Sequence, residues 1–330
     1  MANATIYDVA GKANVSLATV SRVLNNPDKV NEATREKVLQ VIKELGYRPN
    51  AIARGLASRK STTVGIVLSD VTRASTSQLL GGIIDIAKKY NYSIKLFSMS
   101  GEADIQETIK TVVSEQVDGI LFLDDELDEV QMEMVRKQFD DANIPMVLTN
   151  VLFNNPNIPS VAVDYKRAAY EITKDLLGKG KKNIYLLSTV RRYSVNIEKE
   201  AGYALAMKEA NLEPMIFKTS GDLSINTAHF MEYFKTNKVD AAIAVRDSIA
   251  VSFMNVIQEL GHTVPDECSV VGFQNTKYAL LARPLLTCVD TPVYDIGAVA
   301  MRLLTKIMKQ EEVDNIKISL PYNIINRKSA

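Results

Sequence analysis

There is no tryptophan in these 330 residues, and only two cysteines and two histidines. His229, His262, Cys268 and Cys288 are too few and too scattered for the ligand spacings of a Cys/His metal site, so such a centre is excluded. A Cys268–Cys288 disulfide stays open on sequence alone, beside the expectation of two buried thiols in a reducing compartment. No apolar run approaches the ~20 residues of a membrane span, and no basic stretch followed by an apolar segment opens the chain, so a cytoplasmic protein is expected. A glycine-rich G-x-G-x-x-G loop is missing after the first expected strand, which reads VGIVLSD. Neither histidine lies in a pattern that suggests a nucleophile and its base. An enzyme is therefore not expected, and neither is a cofactor or a metal.

Net charge is also lacking, since 39 Lys and Arg balance 39 Asp and Glu. The balance hides an asymmetry. Residues 1–60 hold ten basic against five acidic side chains, which leaves an acidic body behind a basic head. That division fits a polyanion-binding module attached to something else. The length exceeds what one core usually holds, so two or three domains are expected.

The head opens with TIYDVAGKANVSLATVSRVLN, Thr5–Asn25. Thr5 is a helix N-cap, Ile6, Val9 and Ala10 form an apolar stripe, and Asn14 suits a left-handed turn. Val15 plugs the turn, Ser16 caps a second helix, and Val20, Val23 and Leu24 point inward. Leu17, Ala18, Thr19, Ser21 and Arg22 are left outward. In a helix-turn-helix, the second helix lies in the major groove with its first residues at base edges. Ala18 and Thr19 would permit close approach, and Arg22 would pair with guanine O6 and N7. An ordinary helical hairpin is the competing reading.

A third helix is expected from an Asn31 cap, with Val38, Ile42 and Leu45 inward and Gly46 as its stop. After it comes RPNAIARGLASRK, Arg48–Lys60. Asn50 would cap a short helix that Gly55 makes marginal. As a helix ordered on DNA, it would use Leu56 as a minor-groove wedge and Arg54, Arg59 and Lys60 on phosphates. A plain basic linker is the alternative.

From Thr62 onward, short apolar strands alternate with amphipathic helices: TTVGIVLSD, YSIKLFSM, DGILFLD, IPMVLTN, then KNIYLLS, VDAAIAV and CSVVGF. Helices are expected near Ser77–Tyr90 and Asp104–Gln116. The alternation implies an α/β core of doubly wound parallel sheets in two lobes, with a cleft at the strands' carboxyl ends. Over Tyr294–Lys309, the side chains of Asp295, Arg302, Lys306 and Lys309 fall within about 60° of one another. Ile296, Val299, Leu303 and Ile307 form the opposite, core-facing stripe. Arg302 and Lys306 repel mildly until an anion sits between them. A solvated helix face is the plainer account.

TIYDVA, VSLATVSRVLN and LGYRPNAIARGLAS resemble the lactose-repressor family of bacterial regulators over essentially the whole chain. The resemblance implies an all-α helix-turn-helix domain over residues 1–48, a hinge helix over 49–61, and a periplasmic-binding-protein-like core. Its N-terminal lobe would comprise 62–161 and 291–321, and its C-terminal lobe 162–290 and 322–330. It also implies a homodimer on a pseudo-palindromic double-stranded DNA operator, with paired hinge helices whose Leu56 opens a central C-G step. The DNA-contacting set would be Thr5, Tyr7, Ser16, Leu17, Ala18, Thr19, Ser21, Arg22, Tyr47, Asn50, Ala53, Arg54, Leu56 and Lys60.

RPNAIARGLASRKSTTVGIV and YDIGAVAMRLLTK resemble the members that govern carbon catabolite control. There, residues matching Arg302 and Lys306 grip the phosphoserine of HPr, the sugar-transport phosphocarrier, and Asp295 faces that partner's basic residues. Asp70, Asp85 and Tyr90 match positions on the same lobe. Other members bind a sugar or purine in the cleft, and a repressor switched by a sugar or sugar phosphate is the alternative here. Its cleft residues would be Asp164, Lys199, Arg246 and Gln274. Gln274, in GFQNT, replaces a family aspartate, and Lys199 replaces a frequent arginine, which weakens sugar recognition. Gln78 stands for a partner-facing glutamate, and Leu17 for the usual methionine.

Overall fold

The computed structural model describes residues 4–47, 61–99 and 104–330, and the chain divides into two compact units, residues 1–61 and 62–330. In the first unit, helices α1 (Ile6–Ala13), α2 (Leu17–Asn25) and α3 (Glu32–Leu45) enclose a small core. Val9, Ala10, Ala13, Val20, Val23, Val38 and Val41 are buried in it, with Ile6, Val15, Leu24, Ile42 and Leu45 packed partly against them. Val41, which the helical stripe did not single out, is thus deeper than Ile42 and Leu45. Each helix is delimited by local chemistry. Thr5 and Asp8 form a reciprocal capping box on α1, and the Thr5 amide and hydroxyl hold the Asp8 carboxyl below its usual range. Asn14 ends α1 at φ 51°, Ser16 accepts from the Thr19 amide, Asn31 accepts from Thr34, and Gly46 ends α3 at φ 60°.

The second unit begins with β1 (Thr63–Leu68), α4 (Ala74–Lys89), β2 (Ser93–Ser98), α5 (Ile105–Ser114), β3 (Gly119–Phe122), α6 (Glu129–Asp141), β4 (Met146–Thr149) and β5 (Ser160–Val163). It continues with α7 (Tyr165–Gly178), β6 (Ile184–Thr189), α8 (Ser194–Glu209), β7 (Met215–Thr219), α9 (Leu223–Phe234), β8 (Ala241–Ala244), α10 (Asp247–Glu259), β9 (Ser269–Phe273), α11 (Lys277–Leu281) and β10 (Thr287–Asp290). The last elements are α12 (Val293–Met308), β11 (Lys317–Leu320) and β12 (Asn323–Ile325). Two helices start earlier than the apolar pattern suggested, α4 by three residues and α12 by one.

Two six-stranded sheets result, ordered β11-β5-β4-β3-β1-β2 and β12-β10-β9-β8-β6-β7. All pairings are parallel except β10 with β12. The central strands are buried along their whole length because helices cover both faces, so they read as continuous apolar runs rather than alternating ones. The chain passes from the first sheet to the second after β5, returns after β10, and crosses again after β11. In each sheet strand order reverses beside the first strand, at β1 and at β6. In open α/β sheets that is where the carboxyl ends leave a crevice.

Helices α4 and α12 pack closely because each supplies a glycine. A Cβ on Gly82 would lie 2.0 Å from the Tyr294 carbonyl oxygen, and one on Gly297 2.2 Å from that of Leu79. Backbone thus meets backbone where any side chain would hold the helices apart. In the second lobe, with no tryptophan to use, Phe217, Phe230, Phe234 and Phe253 stack tilted or edge-on around α9 and α10. Cys268 and Cys288 are free buried thiols.

Candidate nucleic-acid interface, cleft and charged helix face

On the head, packing of α2 through Val20 and Val23 leaves its other face in solvent. Leu17, Ala18 and Arg22 are exposed there, with Thr19 and Ser21 half-buried. The Ser16 and Thr19 hydroxyls lie 2.9 Å apart, and Ser21 accepts from Asn25. The Arg22 side chain has no hydrogen-bond or ion-pair partner among the described residues, so its guanidinium is unclaimed. Tyr7 is 70% exposed, Tyr47 is half-buried, and Thr5 is exposed but occupied with Asp8. Lys12 pairs with Glu44 at 2.9 Å and ties α1 to α3. Asn50, Ala53, Arg54, Leu56 and Lys60 lie outside the described residues.

The cleft is built from side chains just past strand ends. Arg73, Asp125 and Asn150 follow β1, β3 and β4, while Tyr193, Arg246 and Gln274 follow β6, β8 and β9. Lys199 joins them from α8. It is 1% exposed, donates to the Val245 carbonyl at 3.1 Å, and lies 4.8 Å from the ring centroids of both Tyr165 and Phe273. Burial, with Arg246 adding repulsion, brings its ammonium down to about 7. Burial likewise raises the Asp125 carboxyl to about 7, against the pull of Arg73.

Gln274 stands in the cleft at φ 101°, a conformation that costs about 1–3 kcal/mol and persists only when its surroundings impose it. They do. Asp247 accepts from the Thr276 amide and hydroxyl at 2.5 and 2.8 Å, and Arg327 donates to Asn275 at 2.6 Å. Asn275 in turn donates to Asp290 at 3.2 Å. Asp164 is not in this group. Its exposed carboxylate caps α7 by accepting from the Arg167 amide at 2.9 Å, and it borders a surface groove with Glu171 and Tyr322. The cap at a strand end, not cleft chemistry, accounts for that aspartate.

Arg73, Asp125 and Tyr193 were not singled out from sequence. A usable signal existed, since each lies three to five residues past a strand of a doubly wound sheet.

The third surface is on α12. Asp295, Arg302, Lys306 and Lys309 are exposed, while Ile296 and Leu303 are buried and Val299 and Ile307 partly so. The side chains of Arg302 and Lys306 have no hydrogen-bond or ion-pair partner among the described residues. Tyr294 donates to Asp85 at 2.5 Å, and Lys309 lies 4.8 Å from the Tyr90 ring centroid, so Asp85 and Tyr90 are joined to this helix. Asp70 is not joined to it by any contact described. It accepts from Thr72 at 2.6 Å and Arg73 at 3.2 Å, on the rim of the cleft. Among the described residues, no helix is long and apolar enough to cross a membrane, and no cluster of His, Cys, Asp or Glu suits a metal ion.

A helix-turn-helix head followed by a two-lobed core of parallel sheets is the architecture of a DNA-binding transcriptional regulator. Residues 5–50 match "Bacterial regulatory proteins, lacI family", and residues 173–330 match "Periplasmic binding protein-like domain". The chain is 39% identical to catabolite control protein A of Priestia megaterium, with 99% of each chain covered. The crystal structure of the transcription regulator CcpA of Lactococcus lactis superposes at TM-score 0.71, with 32% identity over 81% of this chain and 98% of that one. The lac repressor dimer bound to operator and the anti-inducer ONPF superposes at TM-score 0.89, with 25% identity over 99% of both. The chain belongs to the lacI family of bacterial regulatory proteins.

Proposed function

We propose that this regulator mediates carbon catabolite control in the cytoplasm, binding a pseudo-palindromic operator as a homodimer with seryl-phosphorylated HPr as its corepressor. The observation that carries this reading is the pair Arg302 and Lys306, four residues apart on α12, their side chains exposed and without partners among the described residues. A serine phosphate seated there converts mutual repulsion into charge-assisted hydrogen bonds. Asp295 on the same exposed face would meet basic residues of the partner. On the head, Leu17, Ala18, Thr19 and Arg22 would read base edges, with Arg22 on a guanine. The hinge segment with Leu56 would open the central C-G step.

Pairing of two copies is supported by exposed apolar side chains on both lobes: Ile84 and Leu96 on the first, Leu223, Ile225, Leu280 and Leu281 on the second. A repressor switched by a sugar or sugar phosphate is the weaker reading. Lys199, Arg246 and Gln274 do share a cleft, but the space among them is small.

The test is fluorescence anisotropy on a labelled duplex with a C-G-centred palindrome at fixed salt. The protein is titrated alone, with HPr, and with seryl-phosphorylated HPr. Only the phosphorylated partner should tighten binding, and Arg302→Ala should abolish that gain. A sugar that moves the curve while phosphorylated HPr does nothing would replace this reading with the cleft-switched one.

A further inference from the structure

The cleft of the second unit is filled from within. Arg73, which follows β1 in the first lobe, donates from Nη2 to the Tyr193 hydroxyl of the second lobe at 2.5 Å. Its guanidinium carbon also lies 4.2 Å from the centroid of that ring, and the Arg246 guanidinium lies 4.9 Å from it. The neighbours of Tyr193 make further links between the lobes. The Ser194 amide donates to the Asp125 carbonyl at 2.9 Å, and the Ser194 hydroxyl accepts from the Leu152 amide at 3.0 Å. Arg191 reaches Glu126 at 3.4 Å, and Arg73 reaches the same carboxylate at 3.5 Å.

The segment carrying these groups is fixed to its own lobe. Thr189 donates to the Arg191 carbonyl, Asn196 donates to Thr189, and the Tyr193 carbonyl accepts from two amides at the start of α8. What remains open in the cleft is a cavity of about 40 Å³. Small-molecule pockets usually run to about 300–1,000 Å³, and a space this size holds about three water molecules.

We infer that Arg191–Ser194 and Arg73 form an interlobe latch that takes the place of a small-molecule effector, holding the core closed with the chain's own side chains. The aromatic ring, the guanidinium groups and the hydroxyl supply the contacts that a bound sugar or sugar phosphate would otherwise make to both lobes. The cleft therefore has no vacancy for either, and closure of the lobes does not wait on a ligand. This inference does not depend on the phosphoprotein reading, and its test uses neither DNA nor HPr.

Hydrogen–deuterium exchange on the full chain would follow peptides covering residues 191–197, in the native protein and in Arg73→Met and Tyr193→Phe. Exchange there should accelerate about tenfold in Arg73→Met, which loses charge-assisted bonds to both lobes, and by less in Tyr193→Phe. Peptides of the sheet strands should not change. Calorimetric titration of the native protein with glucose and glucose 6-phosphate should give no saturable heat. Tyr193→Phe removes one oxygen, so it decides the matter even if Arg73→Met does not fold. Unchanged exchange over 191–197 in folded Tyr193→Phe overturns the latch, as does saturable binding of either sugar to the native protein.

Discussion

The Lys309 ammonium lies 4.8 Å from the centroid of the Tyr90 ring, while the exposed side chains of Arg302 and Lys306 on the same helix face have no partner among the described residues. One cation of the stripe is thus held against α4 and two are available. Replacing Arg302 or Lys306 by alanine should leave the melting temperature and the affinity for DNA alone unchanged. Each should reduce the enhancement by a phosphoserine partner tenfold or more, since a hydrogen bond to a charged group is worth about 1.5–3 kcal/mol. Lys309→Ala should have the smaller effect on that enhancement. Anisotropy titrations of the three variants check the order.

Gly297 has no room for a methyl group. A Cβ there would stand 2.2 Å from the Leu79 carbonyl oxygen, an atom of helix backbone that cannot swing aside. Gly297→Ala should force α4 and α12 apart and destabilise the core by about 1–3 kcal/mol or more. Urea unfolding followed by circular dichroism would measure it, with Gly178→Ala as a control where nothing lies within 4 Å.

The cleft makes stability depend on pH in two opposed ways. Lys199 titrates near 7 in the folded chain, against 10.5 for a free lysine, so between those values the unfolded chain binds more protons and stability rises with pH. Below pH 7 the full cost of burying the cation is present. Asp125 titrates near 7 against 3.8, so between those values the folded chain binds more protons and stability falls as pH rises. The joint contribution has its minimum near neutrality. Lys199→Met should remove the alkaline rise and, at pH 7, leave the melting temperature equal or higher. Melting curves across pH 5–10 would show the missing limb; a retained rise would refute the assignment.

The Arg22 side chain is exposed and has no partner among the described residues. Arg22→Ala should leave folding intact, weaken operator binding by about 1–3 kcal/mol, and relax preference at one base pair in each half-site. Ser16→Ala should instead cost about 1 kcal/mol of stability by removing the cap of α2. Comparing a panel of mutated operators separates lost readout from lost folding.

The head was legible in the sequence because its determinants are local. Thr5, Asn14, Ser16, Asn31 and Gly46 each set a helix end through neighbours within five residues. The strands of the core were legible where both faces are buried, as in GILF and AAIA. Less visible were β7, β11 and β12, partly exposed at the sheet edges. So were the buried strands β5 and β10, whose four residues, SVAV and TCVD, are too short and too mixed with Ser, Thr and Asp to stand out as apolar runs. The latch was not legible at all. Arg73 and Tyr193 are 120 residues apart, and only the doubled sheet topology brings them together. Lys199 does fall on the inward stripe of α8, in register with Val195, Tyr203 and Ala206. Periodicity could not foretell that an ammonium on that stripe would be sealed between Tyr165 and Phe273, which lie far away in the chain.

The threefold passage between the sheets has a bearing on how the protein is made. The first sheet gains its edge only with β11, and the second gains β12 a few residues later, both after α12 in the chain. Ser329 then bonds Thr287 and Val270 inside the second lobe. At a ribosomal pace of about 5–20 residues per second, the head can emerge and fold while both lobes still lack their final strands. A nascent chain would therefore carry a finished DNA-reading module many seconds before it has a core through which that module can be regulated.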